Sequence, residues 1–383
     1  MDKVSIHSIH SRAHHRLVVG MLCALGMLAA TALFGAPLRA AAAGGAAPSA
    51  GAATAPMAPL VVASPTLVEA EAHQLAARKR ALERARLAVV GIDVQAVENA
   101  GSISTLGRQR QGSGVVIGAD GLVLTIGYLI LEADHVDLVL DDAHRVPARV
   151  VGYDLATGFG LLQALTPLAA EPAPLGDSGT FSAQEPLLIA SGGGDAALSL
   201  ARMVSRRAFS GYWEYHIDGA LFTAPARVDH SGAGLFNADG ELLGIGSLIV
   251  TDALGKGQPT LRGNMFVPID LLKPILVELR ERGVSRGSSR AWLGINCVEY
   301  EGQLRVVRLT PASPAEESGL LPGDQILAID GVAVAGLEAF YKTLWLNDAE
   351  RQVTLEIRRA GSVLKLTARS RDRMKTLSRP QGV

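Results

Sequence analysis

Cysteine, aromatic residues and net charge are all scarce in this chain of 383 residues. Its two cysteines are Cys23 and Cys297. Cys23 falls in an apolar N-terminal segment, so Cys297 has no partner for an intramolecular disulfide and is predicted to be a buried, inert thiol. The formal net charge of −1 excludes the basic footprint of a nucleic-acid-binding protein. We expect no metal and no cofactor.

Glycine and apolar residues are abundant instead. The chain has 42 glycines, and 48% of its residues are hydrophobic. Many glycines between short β-branched runs are typical of strands joined by tight turns. The hydrophobic content is sufficient for a sizeable core, and the length suggests two or three folded units.

The first 42 residues have the features of an export signal. Lys3, Arg12 and Arg16 precede an apolar run over residues 17–34, and small residues surround Ala42. This order predicts a secretory signal peptide. The apolar run is also just long enough to span a bilayer, so the segment is either cleaved near Ala42 or retained as an inner-membrane anchor. Both alternatives place the rest of the chain in the periplasm or cell envelope.

Composition divides the rest of the chain. Residues 43–65 are mostly Ala, Gly, Pro, Ser and Thr, which cannot bury enough apolar surface to fold. A charged, Ala-rich stretch over residues 66–86 is predicted to be a helix that enters the first domain. The predicted boundaries are 1–42 for the signal or anchor, 43–65 for a linker, 66–285 for the first domain, 290–371 for the second and 372–383 for a polar tail.

The first domain is predicted to consist of short strands. Because no crossover helices separate them, the pattern favours an antiparallel sandwich or a pair of barrels. One helix over residues 270–282 is predicted to follow, with Pro268 before it and Gly283 behind it, and residues 283–290 are interpreted as a polar linker. The predicted strands are 88–94, 114–117, 122–126, 135–140, 150–153, 187–190, 221–224, 242–250 and 265–267.

The second domain is shorter and mixes strands with two helices. An amphipathic helix over residues 337–346 is its longest predicted helix. The other predicted elements are strands at 304–309, 326–331, 352–358 and 363–368 and a short helix at 315–318.

Several spaced motifs carry a family resemblance. The first domain resembles the HtrA/Deg family of trypsin-like serine proteases, and the second resembles a PDZ domain. The resemblance implies a trypsin-like double β-barrel followed by an α+β PDZ domain. It also implies an envelope endopeptidase that acts on polypeptides and forms homotrimers. The motifs lie at 112–117, 120–125, 151–154, 174–178, 237–245 and 264–268 in the first domain and at 313–320, 322–324 and 329–331 in the second.

The catalytic triad of the family is incomplete in this chain. Ser231 stands at the nucleophile position, within Asp-His-Ser-Gly-Ala. Tyr128 stands at the histidine position and Gly158 at the aspartate position. A serine hydroxyl must pass its proton to a base as it attacks, and a phenol with a pKa near 10 stays protonated at neutral pH. Loss of one triad member costs about four to six orders of magnitude in rate.

The oxyanion hole would be formed by backbone N–H groups of Asp229, His230 and Ser231. The family has glycine where Asp229 stands, so both the backbone freedom and the charge of this position differ. His230 is a neighbour of Ser231, but adjacent side chains point in different directions.

Other residues could imitate parts of a triad, and each also has a structural interpretation. Asp154 could supply charge near Gly158 but is interpreted as a turn carboxylate. Ser178 lies in a Gly-Asp-Ser-Gly string that is interpreted as a turn. Three other histidines of the first domain are interpreted as surface residues: His135, His144 and His216.

The PDZ-like domain keeps a peptide-binding pattern. Trp292, Leu293, Gly294 and Ile295 resemble the loop whose backbone N–H groups hold a peptide C-terminal carboxylate. The strand that follows would accept the peptide by β-addition, and the helix at 337–346 would form the other wall. The alternative is a module that only packs on its neighbour.

Three functions are compatible with these residues. The first is a pseudoprotease that binds unfolded or C-terminal peptides in quality control without efficient cleavage. The second is an active endopeptidase in which a non-standard or partner-supplied base activates Ser231. The third is a purely structural assembly subunit.

Overall fold

The computed structural model describes residues 65–140, 144–179, 185–192 and 198–378. The predicted signal, the linker over residues 43–64 and the end of the predicted tail lie outside these ranges. Helix α1 (Pro65–Leu87) opens the described part and matches the helix predicted at 66–86. Ala81 and Ala85 are buried, which anchors the end of α1 against the domain that follows. Among the described residues, no helix is long and apolar enough to cross a membrane.

The first half of the leading domain is a closed antiparallel barrel. Its strands follow the order β1-β2-β3-β6-β5-β4 around the barrel. Apolar side chains from the strands fill the barrel core, and Phe159, Leu124 and Leu161 are fully buried. The elements are β1 (Val89–Ala96), α2 (Ile103–Leu106), β2 (Gln109–Val116), β3 (Leu122–Ile126), α3 (Gly127–Ile130), β4 (Ala133–Val139), β5 (Arg145–Tyr153) and β6 (Phe159–Ala164).

The second half is another closed antiparallel barrel, with the strand order β10-β11-β12-β9-β8-β7. Its core includes the fully buried rings of Phe222, Phe236 and Phe266. The elements are β7 (Leu187–Ala190), β8 (Leu198–Gly211), β9 (Tyr215–Ala224), β10 (Gly234–Phe236), β11 (Leu242–Val250) and β12 (Gly263–Pro268). Of the two predicted architectures, the barrel pair is confirmed.

Two sequence predictions about the end of this domain are wrong. The single helix predicted over residues 270–282 is a 3-10 helix (Ile269–Leu271) followed by α4 (Leu276–Arg282). Pro274 separates them because proline has no N–H and disfavours helical geometry in the residue before it. The stretch at 283–290 is not a free polar linker, since Ser285 and Ser288 are buried.

The C-terminal module begins after a 3-10 helix (Arg286–Ser288) and is built on a six-stranded sheet. Helix α6 covers this sheet, and Phe340, Tyr341 and Leu344 on α6 are fully buried. The elements are β13 (Ala291–Trp292), β14 (Ile295–Tyr300), β15 (Gln303–Leu309), α5 (Pro314–Glu317), β16 (Gln325–Ile329), β17 (Val332–Ala333), α6 (Leu337–Leu344), β18 (Gln352–Arg359), β19 (Ser362–Arg369), β20 (Arg371–Asp372) and a 3-10 helix (Arg373–Thr376).

Candidate active site and peptide-binding loop

Ser231 lies on a turn that is held between the two barrels. The Ser113 N–H on β2 donates to the Ser231 carbonyl at 2.8 Å. Gly232 has a φ of 77°, and a Cβ there would collide with the Ser113 carbonyl. A larger residue at 232 would therefore separate the turn from β2. The backbone around the nucleophile position is anchored by these contacts.

The Tyr128 side chain reaches Ser231. Tyr128 lies on the short helix α3, directly after β3, and its hydroxyl oxygen is 2.8 Å from Ser231 Oγ and 2.9 Å from the Ser247 carbonyl oxygen. A phenol has one proton, and a carbonyl can only accept. When Tyr128 donates to Ser247, the Ser231 hydroxyl is left to donate to the Tyr128 oxygen.

Burial keeps the Tyr128 phenol neutral. Desolvation raises its pKa to about 12, against a smaller opposing effect of the Ser231 hydrogen bond. At pH 7, a group with this pKa is ionised in about one molecule in 10⁵. A neutral phenol is too weak a base to take the serine proton during attack on a carbonyl. In the described part of the chain, no imidazole or carboxylate hydrogen-bonds Ser231 Oγ.

The space beside Gly158 is filled by another tyrosine. Gly158 has a φ of 85°, and a Cβ at this position would lie 3.0 Å from the Tyr215 hydroxyl oxygen. Tyr215 is buried, and its hydroxyl donates to the Thr157 carbonyl at 2.6 Å. The Gly158 carbonyl accepts from the Gly127 N–H at 2.6 Å, which ties this loop to the start of α3.

The Asp154 carboxylate is bonded within its own turn and to the segment that leads to the C-terminal module. It is fully buried and accepts from the Thr157 N–H at 2.7 Å and from the Ser288 hydroxyl at 2.6 Å. The Ser285 hydroxyl also donates to it. These bonds agree with the interpretation of Asp154 as a turn carboxylate.

Asp229 forms an ion pair beside the Ser231 turn. Arg227 Nε donates to its carboxylate at 3.0 Å, and Ser191 donates to it as well. Desolvation opposes ionisation, but the hydrogen bonds from Arg227 and Ser191 hold the pKa of Asp229 below its ordinary value. The described residues with positive φ include Gly232 but not Asp229. The Asp229 side chain is therefore ionised and paired with Arg227 beside the Ser231 turn.

None of the histidines considered above hydrogen-bonds Ser231. His230 Nδ1 is 3.0 Å from the Val228 carbonyl oxygen, and burial lowers the pKa of His230. His135 is exposed beside Asp137, and His144 is exposed at the edge of the first barrel.

His216 does not fit the surface interpretation, because it is 6% exposed. Its Nδ1 is 2.8 Å from the Ser210 hydroxyl oxygen and its Nε2 is 3.3 Å from Asp218. Glu338 completes a group with metal-ligand spacing. However, the Lys342 ammonium donates to Asp218 at 3.3 Å and to Glu338 at 2.7 Å, so a cation already bridges these carboxylates.

Ser178, in the Gly-Asp-Ser-Gly string, lies in a turn as predicted. Its N–H donates to Asp270 at 2.9 Å, and its hydroxyl donates to the same carboxylate. This serine stabilises the start of the 3-10 helix after β12, and its hydroxyl proton is committed to the Asp270 carboxylate.

The loop formed by Trp292, Leu293, Gly294 and Ile295 presents backbone N–H groups to a carboxylate from the second barrel. Glu214 Oε1 accepts from Ile295 N at 3.0 Å and from Leu293 N at 3.2 Å. Sequence reasoning identified the loop but not Glu214, because Glu214 lies almost 80 residues earlier in an unremarkable hairpin turn.

Comparison with known proteins assigns the two domains. The Trypsin-like peptidase domain family matches residues 112–245, and the PDZ domain family matches residues 291–369. A relative in Marinomonas sp. (strain MWYL1), named probable periplasmic serine endoprotease DegP-like, is 29% identical over 66% of this chain and 55% of its own length. One of the same name in Pseudomonas putida (strain W619) is 31% identical over 66% of this chain and 55% of its own length. This chain is an HtrA-type trypsin-like peptidase domain joined to one PDZ domain.

The family resemblance and the fold class read from the motifs are thereby confirmed. A solved structure of a variant of the HtrA-type protease AlgW with a tripeptide has a TM-score of 0.50 and 21% identity, over 77% of this chain and 97% of that one. This likeness supports the fold alone. The HtrA-type chain spans about half the length of the DegP-like relatives it matches, with 55%, 49% and 56% of three of them covered.

Two contacts at the nucleophile site had no signal in the sequence. The Ser247 carbonyl is free to accept from Tyr128 because the β11–β12 ladder is irregular between Gly246 and Leu248. Tyr215 reaches Gly158 across the interface between the two barrels. Both contacts depend on how distant segments meet, which a local motif does not encode.

Proposed function

We propose that this chain is an HtrA-like pseudoprotease of the cell envelope that binds unfolded or C-terminal peptides in protein quality control without efficient cleavage. The observation that carries the proposal is the neutral Tyr128 phenol hydrogen-bonded to Ser231, where catalysis needs a base. Gly158 adds a second deficit, because it has no side chain to orient or stabilise a protonated base.

The size of the deficit favours binding over catalysis. Removal of one triad member reduces the rate by about four to six orders of magnitude, and here two positions differ. The Asp229 carboxylate, paired with Arg227, lies beside the turn whose N–H groups would stabilise a developing negative charge. The scaffold that would hold a polypeptide is nevertheless complete, with two closed barrels and a PDZ domain.

The envelope location is supported by two independent features. The N-terminal sequence has the order of an export signal, and the relatives are named periplasmic serine endoproteases. We infer that the folded part works in the periplasm, with inner-membrane anchoring if the signal is retained. A homotrimer is the assembly that the HtrA resemblance implies. We infer polypeptides as partners, because the chain has a trypsin-like peptidase domain and a PDZ domain.

The retained Ser231 hydroxyl favours one alternative, an active endopeptidase with a non-standard or partner-supplied base. The test is degradation of fluorescein-labelled unfolded casein by the purified chain, with Ser231→Ala alongside. Binding of the same casein is measured by anisotropy. We expect binding by both proteins and cleavage by neither. Cleavage by the parent that is lost in Ser231→Ala would establish the alternative and overturn the pseudoprotease proposal.

A further inference from the structure

The tip of the β8–β9 hairpin lies in the groove of the PDZ domain. The hairpin tip is defined as residues 211–215, and the groove is bounded by β14 and α6. On the strand side, the Cys297 N–H donates to the Tyr212 carbonyl at 3.0 Å. This is a main-chain bond of the kind that joins an added peptide strand to a sheet edge.

The helix side of the groove also holds the hairpin tip. The Tyr341 hydroxyl on α6 donates to the Gly211 carbonyl at 2.8 Å and accepts from the Glu214 N–H at 3.0 Å. Tyr341 is fully buried, and its ring stacks on Trp345 at a centroid distance of 5.3 Å. Both walls of the groove therefore make direct hydrogen bonds to the tip.

The Glu214 carboxylate occupies the carboxylate-binding loop. Its two oxygens lie 3.2 and 3.3 Å from Leu293 N, and Oε1 lies 3.0 Å from Ile295 N. Successive backbone N–H groups of this kind capture the terminal carboxylate of a peptide ligand. A side-chain carboxylate offers the same two acceptor oxygens, so Glu214 is a chemical equivalent of that terminus.

The conformation of the tip is specific and preorganised. Glu214 has a φ of 55°, in the left-handed region that a non-glycine residue adopts only when its surroundings impose it. Trp213 stacks on Tyr215 with a centroid distance of 5.8 Å and packs edge-on against Tyr212 at 4.9 Å. These contacts orient the Glu214 side chain towards the PDZ loop.

We propose that the hairpin tip is a built-in ligand of the PDZ groove, in which Glu214 takes the place of a peptide terminus and an incoming C-terminal peptide must displace it. The proposal rests on the proposed function, because it takes the groove to be the peptide site. The displacing partner is an extended peptide with a free α-carboxylate, since that group competes for the N–H groups of Leu293 and Ile295. A peptide can therefore occupy the groove only after the hairpin tip of the second barrel has left it.

The test compares two glycine variants of the full chain. Glu214→Gly removes the carboxylate and suits the positive φ, so the hairpin can still fold. Glu301→Gly is the matched control, because Glu301 also has a positive φ of 49° and lies in the exposed turn between β14 and β15. The probe is a fluorescein-labelled random decapeptide mixture with free C-terminal carboxylates, compared with the same mixture amidated at the C terminus.

We expect Glu214→Gly to bind the free-carboxylate mixture at least about tenfold more tightly than the parent does, because the internal competitor is lost. Glu301→Gly should match the parent, and amidation should weaken binding. Equal affinity of the parent and Glu214→Gly would overturn the proposal.

Amide hydrogen exchange separates this proposal from the proposed function. In the parent, the N–H groups of Leu293, Ile295 and Cys297 should be protected from exchange without any peptide. The same amides should exchange faster in Glu214→Gly than in Glu301→Gly. If these amides lose protection in Glu214→Gly but no variant binds peptide, the contact between the hairpin tip and the groove is supported. The same result would contradict the proposed function, which requires peptide binding. Unchanged protection in Glu214→Gly would overturn the built-in ligand whatever the peptides do.

Discussion

A phenol and an imidazole hold the serine hydroxyl in different ways. An imidazole presents a lone pair that takes the serine proton and becomes a stable cation. The Tyr128 oxygen contacts the same hydroxyl at 2.8 Å, but its own proton is directed to the Ser247 carbonyl and its pKa is raised to about 12 by burial. The Tyr128 phenol therefore acts as a structural link between the two barrels.

Tyr128→Phe is predicted to destabilise the protein by about 1–3 kcal/mol, because it removes the hydrogen bond that the phenol donates to the buried Ser247 carbonyl. The measurement is the free energy of unfolding in urea. Tyr300→Phe is the control, since Tyr300 is 60% exposed and its change should fall within about 0.5 kcal/mol. Equal stability of Tyr128→Phe and the parent would contradict a structural role for the phenol.

For single residues, the sequence predicted the places of side chains in the motifs better than it predicted their tertiary contacts. The motifs predicted Ser231 at the nucleophile position and Tyr128 at the histidine position, and the structure brings their hydroxyls together. The sequence did not predict that Tyr215 fills the space beside Gly158 or that the Glu214 carboxylate binds the PDZ loop. Those contacts arise from tertiary packing, because each residue reaches a segment far away in the chain.

The loop between β5 and β6 holds Gly158 in a backbone conformation that suits glycine. Its turn is fixed by Asp154, whose carboxylate is bonded to Thr157, Ser285 and Ser288. Gly158 follows with a positive φ of 85°. The backbone at 158 is thus set for glycine and lies against Tyr215.

The double variant Tyr128→His with Gly158→Asp is predicted to leave casein cleavage unrestored. An aspartate at 158 would be strained at this φ, and its Cβ would lie 3.0 Å from the Tyr215 hydroxyl oxygen. The assay is release of fluorescein from labelled casein. The same double variant with Ser231→Ala sets the background, and cleavage above that background would contradict the argument.

Among the elements, short apolar strands between glycine turns were predicted well, and β3, β7 and β11 have the predicted bounds. Strand β8 was missed, although it is 14 residues long. Its residues are mostly half-buried or exposed and include several arginines, so it lacks the apolar run that marks a core strand. The break at Pro274 was visible in the sequence and overlooked.

At the scale of the whole molecule, the PDZ domain is joined to the second barrel by the hairpin tip. Burial is the largest influence on Glu214 and raises its pKa to about 7, while the N–H groups of Ile295, Leu293 and Gly294 and the charge of Arg373 act in the opposite direction. Burial also raises the pKa values of Tyr341 and Cys297, which face Glu214, so both stay neutral across the physiological range.

Docking of the tip is therefore predicted to weaken as pH rises. Glu214 has a higher pKa when docked than its ordinary value of 4.5, so its contribution is fully present below about 4.5 and is lost as pH rises through about 7. Binding of a free-carboxylate peptide should strengthen by about tenfold or more between pH 5 and pH 8 in the parent, since a terminal carboxylate is ionised throughout.

Glu214→Gly should show a much flatter pH profile over the same interval, which the same anisotropy titration measures. A parent profile as flat as that of Glu214→Gly would contradict the linkage between the Glu214 proton and docking of the tip.

Reaction with a fluorophosphonate probe shows whether Ser231 is an activated nucleophile. The purified chain is incubated with the probe at pH 7.5 beside trypsin and Ser231→Ala, and adducts are located by peptide mass mapping. We expect labelled trypsin and an unlabelled Ser231. Stoichiometric labelling of Ser231 in the parent would contradict this expectation and would establish that this serine has a functional base.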